Sequence, residues 1–179
     1  MAKRVEIKIV GVGGQGVVLA GQILGMAAVF DGWHATQTQS YGARVRGTPV
    51  FSDVIMSDER VRYPFTRRID VLIAMEKKMV EENLKLLKSG AIVIADGLES
   101  TSRSDVKVFN VEASKKSMEI FGSKLHANMI MLGAFSKITE LISLDSIIKA
   151  VREASPPNLA EKNIEAVKVG WEVGEKIKE

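Results

Sequence analysis

The chain has 179 residues, 46% hydrophobic and 26% charged, with a formal net charge of +3 and a pI near 9.1; this is a globular composition with enough apolar residues for a core, and it excludes a disordered chain. There is no cysteine, and the two histidines, His34 and His126, are far apart, which excludes disulfides, a thiolate nucleophile and any zinc or iron–sulfur site built on the chain's own thiolates. No apolar run reaches the ~18 residues of a membrane span, no cleavage-site pattern follows the N-terminus and no block of charge suits nucleic acid, so the sequence predicts a cytoplasmic protein with neither a membrane nor a nucleic-acid partner.

From Arg4 to Val10 the residues alternate and then become continuously apolar, as in a strand entering a buried parallel sheet. This strand runs into Gly11-Val12-Gly13-Gly14-Gln15-Gly16, the spacing Gly11-x-Gly13-x-x-Gly16 of a strand turning tightly into a helix. Glycine permits positive φ and puts no Cβ between the backbone and an approaching phosphate. The first N–H groups of the helix have no carbonyl partner, and its aligned peptide dipoles add positive charge there. A pyrophosphate-bearing ligand suits such a turn, although the same glycines also allow close strand-to-helix packing with no ligand. Gln15 to Phe30 is helical, with an apolar stripe of Val18, Ile23, Met26, Ala27 and Phe30, and Asp31-Gly32 ends it.

A second strand covers Trp33 to Thr38. Nicotinamide-binding folds place Asp or Glu at the end of this strand, roughly 20 residues past the glycines, to hold the ribose hydroxyls. This chain has Thr36-Gln37-Thr38-Gln39 there, and Asp31 comes too early. The following stretch from Gln39 to Thr48 is polar and glycine-punctuated, hence a loop, placed near the glycine turn at the carboxyl edge of a doubly wound sheet. In it Ser40 and Tyr41 offer hydroxyls, while Arg44 and Arg46 offer planar forks for phosphate or carboxylate; packing and a solvated turn are the plainer uses of the same residues.

Val50 to Met56 reads as a strand, Ser57 to Arg60 as a turn, and Val61-Arg62-Tyr63 as a short strand pairing antiparallel with it before Pro64. Ile69 to Met75 is a buried strand, Glu76 to Lys88 an amphipathic helix on Met79, Val80, Leu84 and Leu87 closed by Ser89-Gly90, and Ala91 to Ala95 the next buried strand. Asp96-Gly97 turns, Leu98 to Asp105 loops, and Val106 to Val111 alternates like an edge strand. The rest is helical: a core-facing helix around Asn128 to Ile142, another over Leu144 to Ala154, a break at Ser155-Pro156-Pro157, and a long charged helix to Lys178. Arg44, Arg46, Arg60, Arg62, Arg67 and Arg68 crowd one region against Asp53, Asp58 and Glu59, an excess suited to phosphates, an acidic partner surface or simple solvation. The predicted architecture is α/β: one Rossmann-like three-layer domain over residues 1–179 with a mostly parallel sheet, an antiparallel extension and a helical C-terminal part. No nucleophile elbow, Walker lysine or His–carboxylate metal set is present, so the chain is not expected to be catalytic alone.

Gly11 to Gly21, then Thr38-Gln39-Ser40-Tyr41-Gly42 with Arg46-Gly47, Ser57-Asp58, Tyr63-Pro64 and the apolar strand from Asp70, resemble the gamma subunit of 2-oxoacid:ferredoxin oxidoreductases. Asn128 with Leu132-Gly133-Ala134, and Lys162-Asn163 with Ala166 and Gly170, extend the likeness over nearly the whole chain. Val17-Val18-Leu19-Ala20-Gly21 and Thr38-Gln39-Ser40-Tyr41-Gly42 look most like the 2-oxoglutarate branch. The resemblance implies a heteromeric complex that oxidatively decarboxylates 2-oxoglutarate to succinyl-CoA and passes electrons to ferredoxin. Thiamine diphosphate and iron–sulfur clusters would lie on partner alpha, beta and possibly delta subunits, while this chain contributes to CoA binding and assembly. Gly11, Gly13, Gly14, Gln15 and Gly16 would hold the CoA pyrophosphate, with Ser40, Tyr41 and Arg46 as further candidates. Relatives commonly carry Pro-Glu after Tyr-Gly and two glycines after the arginine; here the stretch reads Ala43-Arg44-Val45-Arg46-Gly47-Thr48, so roles in that loop are the least transferable. A free-standing nicotinamide- or flavin-dependent oxidoreductase and a purely structural subunit stand as alternatives.

Overall fold

The computed structural model describes residues 3–41 and 48–178, with Tyr41 described by its backbone alone. Six strands form one sheet in the order β2-β3-β1-β4-β5-β6: β1 (Arg4–Val12), β2 (His34–Tyr41), β3 (Pro49–Ser57), β4 (Ile69–Ala74), β5 (Leu87–Ala95) and β6 (Lys107–Asn110). β1, β4, β5 and β6 are mutually parallel, and β3 runs antiparallel to both β1 and β2. The continuous apolar run of β1 follows from burial on both faces. Val5, Ile7 and Ile9 enter the core beneath α1 (Val17–Phe30), α4 (Ala127–Thr139), α5 (Leu144–Ala154) and α6 (Pro157–Lys178). Val10 joins a second core on the other face with Leu72, Val93 and the residues Met79 and Val80 of α2 (Lys78–Asn83). Helices on both faces of a mostly parallel sheet make the three-layer α/β fold expected from the sequence.

Small residues bring the helical layer close. A Cβ on Gly21 of α1 would lie 2.0 Å from Ser52 Oγ of β3. A Cβ on Gly133 of α4 would meet the Val167 carbonyl oxygen at 1.9 Å, and one on Gly170 of α6 would meet that of Ile130 at 1.9 Å, so α4 and α6 touch backbone to backbone. Pro157 opens α6 at the helical position where a missing N–H removes no hydrogen bond.

Three expectations are corrected. Val61-Arg62-Tyr63 forms no strand; β3 finds its antiparallel partners in β1 and β2 instead, and the extension is built around it. The helix expected over Glu76 to Lys88 is α2 followed by a single 3-10 turn at Leu84–Leu86, because Leu87 already pairs with Ile69 as the start of β5. Leu84 and Leu87 are buried as their spacing suggests, but on different backbone types, and Ser89-Gly90 lies inside β5 with Gly90 at φ 77°. Gln39, Ser40 and Tyr41, placed in a loop from their polarity, continue β2 opposite Ser52, Phe51 and Val50.

Candidate functional site

The glycine turn joins β1 to α1 at the carboxyl edge of the sheet and is held from three sides. Gln15 Oε1 accepts from Val12 N at 2.8 Å and its Nε2 donates to the Met75 carbonyl just beyond β4 at 3.3 Å. Gly13 N donates to the Thr48 carbonyl at 3.0 Å, and Asn128 Nδ2 in the first turn of α4 donates to the Gly16 carbonyl at 3.3 Å. The glycines serve different ends. Gly11 is buried, and a Cβ there would strike Gln15 Oε1 at 2.5 Å and Val17 Cγ2 at 2.7 Å; Gly16, at φ 70°, has Asn128 Nδ2 2.3 Å from where its Cβ would be; Gly14, at φ 98°, faces open space. Left-handed backbone at Gly14 and Gly16 is the conformation that favours glycine.

Beside the turn lies a cleft of about 660 Å³ across the carboxyl ends of β1, β4 and β5, lined by Gln15, Met75, Lys77, Asp96, Glu112 and Lys115 among others. A narrower arm of about 290 Å³ runs against Gly14 and Gln15, past Ser114, Ser123, Lys124 and Ala127. The main cleft mixes lysines with Glu76, Asp96, Glu112 and Glu119, whereas Lys124 is the one charged side chain lining the arm among the described residues. Two helices begin there. α1 follows Gly16 with no side-chain cap and no acidic residue in its first turn. α4 runs on from the 3-10 turn Lys124–His126, which Ser123 caps, and Asn128 Oδ1 accepts from Met129 N, so its opening N–H groups are partly satisfied, with no acid in the first turn. The uncapped start of α1, the positive dipole ends of both helices and the Lys124 ammonium make the arm suited to an anion. Asp96, at the end of β5, instead closes the start of α3 (Ala113–Phe121), accepting from Ser114 N at 3.1 Å and from Ser114 Oγ.

Of the turn residues, Gln15 lines the main cleft and Gly14 and Gln15 line the arm, while Gly11 is buried behind them and Gly13 and Gly16 flank them in the chain. The structure does not bring Ser40 there: Ser40 lines a separate cleft of about 270 Å³ with Lys8, Thr38, Phe51, Asp53 and Phe65, below the sheet face opposite α1. The Tyr41 backbone pairs with Val50, and Arg46, like Arg44, lies outside the described residues. The separation has a topological cause. β3 sits between β1 and β2, so the end of β2 is two strand spacings, about 10 Å, from β1; a carboxylate there would not stand beside the glycine turn as in a nicotinamide fold. Lys77, Asp96, Ser114 and Lys124 were not singled out as site residues. Asp96-Gly97 after a buried strand carried a usable signal, a carboxylate at a parallel-strand end. Lys124 had only the Gly122-Ser123 stop-and-cap pair, with Gly122 at φ 68° and Ser123 Oγ accepting from Leu125 N.

The carboxyls with lowered pKa lie away from the cleft. Burial pushes Glu6 up, but donation from Arg67 N, Arg4 Nε and Arg68 N together outweighs burial and holds it below its ordinary value. Asp31 is likewise pushed up by burial and brought lower by Ser146 Oγ and by the N–H and hydroxyl of Ser143. His126 is buried packing, its Nδ1 2.7 Å from Asn163 Oδ1 and its ring against Phe121.

Residues 6–173 match the family described as pyruvate ferredoxin/flavodoxin oxidoreductase. The chain is 37% identical to the 2-oxoglutarate synthase subunit KorC of Methanothermobacter thermautotrophicus, over 95% of each chain. Its fold matches the keto/oxoacid ferredoxin oxidoreductase gamma subunit from Geobacter sulfurreducens with a TM-score of 0.84 at 32% identity, covering 99% of both chains. The fold also recurs, with a TM-score of 0.86 at 21% identity, in the 2-oxoglutarate:ferredoxin oxidoreductase from Magnetococcus marinus solved with 2-oxoglutarate, coenzyme A and succinyl-CoA, covering 97% of this chain and 31% of that one.

Proposed function

The chain belongs to the pyruvate ferredoxin/flavodoxin oxidoreductase family, and from that premise we propose that it is the gamma-type subunit of a 2-oxoacid:ferredoxin oxidoreductase of the 2-oxoglutarate type, contributing the CoA phosphate site. On this reading residues 1–179 form one unit that works in the cytoplasm with alpha, beta and possibly delta subunits, and the complex gives its electrons to ferredoxin. The branch rests on the KorC likeness. The CoA assignment rests on the arm in which the starts of α1 and α4 converge with Lys124 and no carboxylate. Coenzyme A in the Magnetococcus marinus enzyme, which shares the fold, is in keeping with it.

Oxidative decarboxylation to a thioester needs the electron sink of thiamine diphosphate and the one-electron relays of iron–sulfur clusters. This chain has no cysteine and so offers a cluster no thiolate; both groups are assigned to partner chains. Its own residues bind and orient. The N–H groups about Gly14 and Gly16 meet the pyrophosphate, Lys124 neutralises part of its charge, and Gln15 and Asn128 keep the turn in shape from beneath. Holding the phosphates in one place delivers the thiol end of CoA to the partner chains in a restricted range of positions.

The test is purification of the complex from its native source on the tagged chain, followed by viologen reduction. Reduction that requires both 2-oxoglutarate and CoA, with thiamine- and cluster-binding partners recovered, supports the reading. Turnover of pyruvate but not 2-oxoglutarate overturns the branch, and recovery of the chain alone, with tight NADH binding, overturns the subunit assignment. Gly13→Ala separates CoA binding from packing: a selective rise in the apparent KM for CoA supports the site, while altered assembly at unchanged KM leaves the turn a packing device.

A further inference from the structure

The arginine excess noted in the sequence falls outside the CoA arm. Residues 58–68, with no helix or strand of their own, lie over the sheet face opposite α1. They are pinned by buried or half-buried polar groups: Glu6, 6% exposed, accepts from Arg67 N at 2.6 Å and Arg68 N at 3.1 Å, Asp53 accepts from Thr66 Oγ1 at 2.6 Å while paired with Lys8, and Arg4 Nη2 donates to the Tyr63 carbonyl at 3.2 Å. On this fixed backbone Tyr63 and Phe65, 44% and 56% exposed, stand edge to face at 5.6 Å, and the Arg67 guanidinium stacks 4.4 Å from the Tyr63 ring.

Arg60, Arg62 and Arg68 belong to the same segment, exposed and making no ion pair among the described residues. Their nearest acids within the segment are Asp58 and Glu59, while Glu6 and Asp70 beneath are already engaged by Arg4 and Lys88. None of the residues that line the arm beside the glycine turn belongs to this surface, so the phosphate site proposed above does not account for it. Exposed aromatics in an arginine-rich segment, one of them under a stacked guanidinium, have the composition of an energetic centre in a protein interface, and a large exposed apolar pair is costly to leave in water.

We propose that this aromatic–arginine face is the docking surface for an acidic face of a partner subunit of the same complex. The proposal rests on the reading of the chain as a subunit. Protein is favoured over nucleic acid because the Arg67 guanidinium already lies over the Tyr63 ring where a base would stack, and because the chain as a whole is only mildly basic, with a net charge of +3.

Tagged wild-type chain, Arg62→Glu, Arg62→Glu with Arg68→Glu, and Tyr63→Ala with Phe65→Ala are each expressed in the native source, with Arg152→Glu on α5 as a charge control. Recovery of the thiamine- and cluster-binding subunits and the activity eluting with them are measured from low to high salt. The double charge reversal is expected to cut recovery at least tenfold and Arg62→Glu severalfold. The wild-type complex is expected to loosen as salt rises, and the aromatic variant to lose partners at every salt. Arg152→Glu is expected to behave as wild type. Circular dichroism identifies folded variants; Arg62, which is exposed and makes no side-chain hydrogen bond or ion pair among the described residues, keeps the test decisive if a double variant misfolds. Folded Arg62→Glu and aromatic variants that recover partners as wild type overturn the surface while the subunit reading stands. A wild-type chain that recovers no partner overturns both, and binding of RNA lost in Arg62→Glu with partner recovery unchanged assigns the face to nucleic acid instead.

Discussion

The starts of α1 and α5 solve the same problem in opposite ways. Every α-helix opens with N–H groups that have no partner within it. At α5 the protein supplies partners: Ser143 Oγ accepts from Ser146 N, Asp145 lies in the first turn, and the Asp31 carboxylate accepts from Ser143 N at 2.5 Å, Ser143 Oγ at 2.8 Å and Ser146 Oγ at 2.5 Å. At α1 no side chain caps the helix and no acid complements its dipole; the cap is Gly16, and the turn before it opens at Gly14. Both ends concern α1, since Asp31 is its own last cap. Where the chain closes a helix start with its own carboxylate, the end serves the fold; where it leaves the start bare beside a cleft, the end suits an external anion.

The strongest way to break this contrast is to give the α1 start a side chain. Gly16→Val would force a left-handed φ on a branched residue and press a Cβ into Asn128, and about 2–4 kcal/mol of stability should be lost, measured by urea unfolding, together with a higher apparent KM for CoA in whatever complex forms. Lys124→Glu sharpens the contrast without touching the backbone. Reversing the Lys124 charge should raise the apparent KM for CoA roughly tenfold, ~1.4 kcal/mol, with unfolding within about 0.5 kcal/mol of wild type; an unchanged KM would remove the arm from CoA binding. Asp31→Ala acts on the closed end. It should cost about 1 kcal/mol of stability, held to that by the solvent exposure of the pair, and leave the KM for CoA alone.

The smallest effect is in pH. Glu6 and Asp31 sit below their ordinary values of 4.5 and 3.8 in the folded chain, so the unfolded chain binds their protons first. The stability they contribute is fully present above those values and is lost as pH falls through the lowered ones. Unfolding free energy measured from pH 6 down to pH 2 should fall in that window, less steeply in Glu6→Gln with Asp31→Asn than in wild type, while neither substitution moves the KM for CoA at neutral pH.

Periodicity made much of this fold legible. The buried runs of β1, β4 and β5, the glycine turn and the helices α1, α4 and α5 follow from apolar spacing and punctuation, and the turn lies beside the cleft where the spacing put it. The placement of β3 between β1 and β2 left no local mark, because pairing order is decided by contacts far apart in sequence. That one insertion separates Ser40 from the glycine turn. Leu87 shows a second limit: its burial was readable, but a residue buried at the end of a helix and one buried at the start of a strand have the same polarity. Lys124 was unreadable for a third reason, since a lone lysine gains meaning only from the two helix starts that surround it in space.

Gln15 has a consequence for how a ligand would be met. Because its amide ties Val12 to Met75, the turn is ordered when the protein folds. Fixing one residue's backbone costs on the order of 1–2 kcal/mol of entropy, and at this turn an arriving phosphate has little of that cost left to meet. An anion arriving there should therefore bind without slow loop closure, and the ordering cost already met during folding appears as affinity rather than as a conformational step.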